Sequence, residues 1–93
     1  MNGRSEISCF EGWAGLSHPL KPVRPLTPEQ ALQRRRFQRA HVLDGRLMLL
    51  ETVENGPTGQ TVISSFRYRY RLDGTLEHVT IVNPEGKTNE LEY

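Results

Sequence analysis

The sequence predicts an α+β fold: an antiparallel β-meander of four to five strands, preceded by one short helix and an extended N-terminal arm. Three observations carry that expectation. Asp44-Gly45-Arg46-Leu47 is echoed 29 residues later by Asp73-Gly74-Thr75-Leu76, and at the same offset Phe37 matches Phe66, Leu43 matches Leu72, Leu50 matches Val79 and Val53 matches Val82. A single offset shared by turn and apolar positions marks a repeated supersecondary unit. From Thr61 to Leu72 the residues alternate, with Val62, Ser64, Phe66, Tyr68, Tyr70 and Leu72 on one face and Thr61, Ile63, Ser65, Arg67, Arg69 and Arg71 on the other. Thr27-Pro28-Glu29-Gln30 has the composition of a helix start.

Taken in order, residues 1–26 read as the arm. Gly3, Gly12 and Gly15 punctuate it, and Pro19, Pro22 and Pro25 fall at every third position. Each proline removes a backbone donor and restricts the residue before it, so this run is extended or polyproline II rather than helical. Such a segment serves either as a strap across the domain's own core or as a ligand for an aromatic groove on a partner. Residues 27–93 read as a single helix-plus-meander domain. Thr27 caps the first free N–H groups, Pro28 suits the first helical position and Gln30 completes a capping box, giving a short helix to about Arg36. Its apolar stripe is narrow: Ala31, Leu32 and Phe37.

From Phe37 the period changes toward two. Phe37–Leu43 and Arg46–Val53 flank Asp44-Gly45, and Leu76–Val82 follows Asp73-Gly74, the turn chemistry of two β-hairpins. Asn55-Gly56-Pro57-Thr58-Gly59 reads as the longer loop joining them. Asn83-Pro84-Glu85-Gly86 makes a further turn into a last strand over Thr88–Tyr93, in which Leu91 and Tyr93 share a face.

A chain of 93 residues is one small domain with a modest core. With 35% hydrophobic and 25% charged residues it sits between a compact domain and one with a loosely ordered part, which the punctuation places in the first half. Cys9 is the single cysteine, so neither an intramolecular disulfide nor a multi-cysteine metal site can form. Met1–Phe10 has no apolar run of the signal-peptide kind, and nothing approaches the roughly 20 apolar residues of a membrane-spanning helix. The expectation is a cytoplasmic protein with no membrane span. Its net charge of +1 conceals an uneven distribution: Lys21 to Arg46 holds seven basic residues against Glu29 and Asp44, while Thr75 to Tyr93 holds four glutamates against Lys87. Complementary halves of this kind fit intramolecular neighbours, head-to-tail self-association or separate binding faces alike.

The stretch Tyr68-Arg69-Tyr70-Arg71-Leu72-Asp73-Gly74-Thr75-Leu76-Glu77-His78-Val79-Thr80, continuing through Gly86-Lys87-Thr88 to Glu92-Tyr93, resembles one YD-type repeat of the Rhs family. That family builds long arrays into shells; one or two copies enclose nothing, so the likeness implies hairpin architecture alone. Over most of its length the chain is similar to a family of small bacterial proteins of unassigned function. The matching segments are Trp13-Ala14-Gly15, Pro19 to Val23, Phe37 to Ala40, Gly45 to Leu47 and Tyr68 to Leu76. This resemblance implies a fold, and no catalytic residues come with it.

Nucleophilic catalysis needs Cys9 or a serine beside a histidine and an orienting carboxylate, and no spacing here brings Cys9 to His18, His41 or His78. No pair of residues shows the close spacing of a zinc site, and no metal or cofactor is expected. The arginines carry more information. Arg34, Arg35, Arg36 and Arg39 form a cluster, Arg67, Arg69 and Arg71 a row, and guanidinium groups suit carboxylate, phosphate and aromatic partners. With Trp13 as an aromatic anchor, these residues form the expected partner-binding set. The function expected is a non-enzymatic accessory subunit, adaptor or inhibitor that binds the acidic surface of a larger bacterial protein, with self-association left open. A nucleic-acid-associated regulator is the alternative, although the alternation sets Tyr68 and Tyr70 opposite the arginine row.

Overall fold

Asp44 and Gly45 both adopt positive φ, 52° and 80°, and close the two-residue turn on which the central hairpin is built. A computed structural model describes residues 3–93; Met1 and Asn2, the start of the expected arm, lie outside the described residues. In chain order the elements are β1 (Ser5–Ala14), β2 (Lys21–Leu26), α1 (Pro28–Leu32), β3 (Arg36–Leu43), β4 (Arg46–Gly56), β5 (Gly59–Tyr70), β6 (Leu76–Val82) and β7 (Thr88–Glu92). All strands join one antiparallel sheet in the order β2-β1-β3-β4-β5-β6-β7.

The sheet therefore has seven strands rather than four to five. β3 to β7 are the expected meander, and the two additional strands come from residues expected to form an extended arm. The backbone there is extended, but β1 pairs with β3 over Ser5–Phe10, and β2 folds back on β1 as the sheet edge. The prolines are compatible with that place because an edge strand has one side on which no donor is needed. Between β1 and β2, Gly15–Leu20 crosses one face of the sheet as a strap and buries Leu20.

α1 begins as the sequence indicates, with the Gln30 N–H donating to Thr27 Oγ1 and the Thr27 N–H donating to Gln30 Oε1. It ends at Leu32, four residues short of Arg36. Asn55 accounts for that stop: its Nδ2 donates to the carbonyls of Ala31 and Arg34, and its N–H to the carbonyl of Arg35, tying the helix end to β4. The stretch Asn55–Gly59 is a tight turn, with Gly56 paired to Gly59, so β4 and β5 form a third hairpin.

One buried cluster lies on each face. Ala31 of α1 packs with Phe37 and Val53 on what we call the helix face, with Cys9 and Leu26 against them. Leu20 packs with Ala40 and Leu50 on the opposite strap face, joined by Phe10, Leu47 and Phe66.

The two echoed hairpins are not superimposable residue for residue. Each has a bulge at the same place in its second strand, Met48 in β4 and Glu77 in β6, so those strands keep the 29-residue offset. The loop after β5 holds one residue more, however, and this shifts the first strands by one position. Ala40 pairs with Leu50, and Tyr68, 28 residues on, pairs with Val79. A one-residue shift reverses which face a side chain occupies. Phe37 is thus buried on the helix face while its echo Phe66 lies on the strap face.

Candidate partner-binding surface

The helix face beyond α1 is a polar field ordered by cross-strand pairs. One row runs Cys9, Arg39, Glu51, Ser65; the next runs Ile7, His41, Leu49, Arg67, Thr80, Glu90. Glu51 is the hub of the first. Its Oε1 accepts from Arg39 Nε at 2.9 Å and from His41 Nε2 at 2.5 Å. Burial alone pushes the Glu51 carboxyl upward, but the hydrogen bonds from Arg39 and His41 outweigh it and hold the group below its ordinary value. Arg39 also reaches Gln60.

Arg67 stands at the middle of this face on β5, exposed, and has neither a hydrogen-bond nor an ion-pair partner for its side chain among the described residues. Its cross-strand neighbours are Leu49 and Thr80. Arg69 on the same face makes a long contact with Glu77, at 3.5 Å. Beside it His78 Nε2 meets Glu90 at 3.0 Å.

The remaining arginines of the expected set lie elsewhere. Arg71 lies past the end of β5, and its guanidinium donates to the carbonyls of Leu76 and Tyr93, which binds the loop to the end of β7. Arg34 pairs with Glu11 at 2.7 Å and Arg36 with Glu54 at 3.0 Å. Arg35 is exposed and its side chain has no partner among the described residues. Trp13 is on the strap face, edge-on to Phe66 with centroids 5.7 Å apart. The structure therefore brings Arg39, Arg67 and Arg69 onto one face and sets Trp13 against the other.

On the strap face Tyr68, 2% exposed, is the central polar group. The Leu20 N–H donates to its hydroxyl at 3.0 Å, and the hydroxyl in turn donates to His18 Nδ1 at 3.0 Å. Burial lowers the pKa of His18, which favours the neutral imidazole that can accept this proton, and burial likewise raises that of Tyr68. Next to this cluster Phe10, Pro22, Ala40, Val42 and Leu47 line an open groove of about 400 Å³ with Lys21 at its rim.

Glu51 and its two donors were not legible as a group. A hairpin counted back from the Leu43–Arg46 pair without interruption sets Arg39 opposite Leu50; the bulge at Met48 moves it onto Glu51. No group of three or more potential metal ligands occurs among the described residues, and no helix among them is long and apolar enough to cross a membrane.

The profile of a family of unknown function (DUF6156) matches residues 2–93. The chain belongs to that family. This agrees with the resemblance to a family of unassigned function drawn from the segments around Trp13, Pro19 and Phe37. No curated protein and no solved structure matches it. Within this DUF6156 chain the chemistry must be read from its own surfaces.

Proposed function

We propose that this DUF6156 protein is a non-enzymatic protein-binding module whose helix face docks an acidic surface of a larger protein. The observation that carries the reading is Arg67: an exposed guanidinium with no partner among the described residues, set mid-sheet between two hydrogen-bonded groups, Arg39–Glu51–His41 and Arg69–Glu77. The strand fixes where the arginine projects, its side chain gives up rotamer freedom only on binding, and its planar fork suits a partner carboxylate. Because Glu51 already neutralises Arg39, the field around Arg67 favours one well-placed acidic contact over a broad polyanion. The nucleic-acid alternative is less well supported, since Tyr68, the stacking candidate, is buried on the strap face.

The test is capture from native extract with the tagged wild-type chain and an Arg67→Glu/Arg69→Glu variant. A stoichiometric prey with an acidic surface that is retained by the wild type and lost by the folded variant is the expected result. Identical prey for both chains overturns the reading, and so does prey dominated by nucleic acid.

A further inference from the structure

The two edges of the sheet are treated in opposite ways. β2 is sealed: Pro22 and Pro25 remove donors, and Arg24 sits at φ 60°, which breaks the regular extended backbone. β7 has no proline, its five residues Thr88–Glu92 are all exposed, and among the described residues it pairs only with β6. Its outer row of N–H and C=O groups is therefore open to a further strand.

Side-chain register narrows what that strand can be. Glu90 pairs with Thr80 and Glu92 with His78, which places both carboxylates on the helix face, while Leu91 between them pairs with buried Val79 on the strap face. A second copy of β7 is disfavoured in the two registers that overlap its glutamates most fully. Antiparallel self-pairing centred on Glu90 sets Glu90 against Glu90, and centring on Leu91 sets Glu90 against Glu92; like charges directly opposite one another are unfavourable. The same charges attract a strand with the inverse pattern.

We propose that the outer edge of β7 is a strand-addition site for an extended segment of a partner protein in which Lys or Arg alternates with apolar residues. The basic positions lie beside Glu90 and Glu92, and the apolar position between them extends the Leu91–Val79 row. Backbone hydrogen bonds hold the segment, and the glutamates set its register and charge. Glu90 shares a cross-strand row with Arg67 on the helix face, but the strand-addition site is the outer backbone edge of β7, which Arg67 does not form, and it does not depend on Arg67.

The test uses an acetylated, amidated short peptide alternating lysine and valine, titrated into the isotope-labelled full chain and followed by amide NMR. The expected result is saturable binding with shifts concentrated at residues 88–92, no binding of the matching glutamate–valine peptide, and at least tenfold weaker binding to Glu90→Lys/Glu92→Lys. A peptide methylated on every backbone nitrogen, which leaves neither strand edge a donor, separates strand addition from simple charge attraction, and it should not bind. Equal affinity of the methylated peptide, shifts centred away from β7, absence of saturable binding, or dimerisation of the free chain through β7 would each overturn the proposal.

Discussion

The Tyr68 hydroxyl lies 3.0 Å from His18 Nδ1, and through it the strap is fastened to the middle of the sheet. The same oxygen accepts the Leu20 N–H, so a single side chain satisfies two groups of a segment 48 to 50 residues away in sequence. Tyr68→Phe leaves that N–H buried without an acceptor, and the expected loss is about 1–3 kcal/mol of stability. Urea denaturation measures it. A loss near zero would show that the strap is held by Leu20 burial alone.

His18 also predicts a pH dependence. Burial lowers its pKa below the ordinary 6.5, so the folded chain binds its proton less readily than the unfolded chain. The unfolded state then takes up more protons as pH falls from 6.5, and stability declines over that window until the folded-state pKa is passed. His18→Asn keeps an acceptor for Tyr68 and removes the titration. The difference in urea midpoint between pH 7.5 and 5.5 should be smaller in this variant than in the wild type; an unchanged difference assigns the effect to other groups.

Glu51 acts at a lower pH. Its pKa is depressed by Arg39 and His41 against the opposing effect of burial, so its contribution is present above the unfolded value of 4.5 and is lost as pH falls through the folded value. At neutral pH Glu51→Gln should cost about 1–3 kcal/mol, because Arg39 and His41 lose the partly buried carboxylate to which they donate. The gap between wild type and variant should close below pH 4.5. A double-mutant cycle with Arg39→Ala separates the arginine's share from that of His41.

Much of this architecture is legible in the sequence because its determinants are local. The Thr27–Gln30 capping box, the Asp44-Gly45 turn and the alternation of Arg67 and Arg69 with Phe66, Tyr68 and Tyr70 depend on neighbours within a few residues. Two things depend on distant pairing and are not legible. Pro22 and Pro25 argue against helix, yet nothing local states that β1 will pair with β3 and carry β2 as an edge. The single extra residue in the loop after β5 has no signature either, although it decides that Phe37 and Phe66 face opposite sides. The candidate site has the same limit: Arg67 is visible as an exposed position, whereas the partners that occupy Arg34, Arg36 and Arg39 follow from register.

That shift between echoed aromatics is itself testable. Phe37, 2% exposed between α1 and β4, should cost about 3–5 kcal/mol on truncation to Ala. Phe66 is only partly buried beneath Trp13 and His18, so Phe66→Ala should cost clearly less. Equal losses in thermal or urea unfolding would mean that the two positions are equivalent after all.

The meander brings the two Asp-Gly turns to one end of the sheet. Gly45 and Gly74 have φ of 80° and 93°, a region where a Cβ is strained, so alanine at either should cost about 1 kcal/mol. Their surroundings differ. A Cβ on Gly45 meets nothing within 4 Å, whereas one on Gly74 comes within 2.9 Å of Arg46 Nη2. Arg46 belongs to the first turn and holds its guanidinium 5.6 Å from the Tyr70 ring centroid. Gly74→Ala must displace that group, which adds the cation–π contribution of about 0.5–1 kcal/mol at an exposed site. In an Arg46→Met background this excess should vanish, leaving Gly74→Ala no costlier than Gly45→Ala. If the two alanine variants are equally destabilised while Arg46 is present, the first turn does not buttress the second, and each hairpin tip folds on its own account.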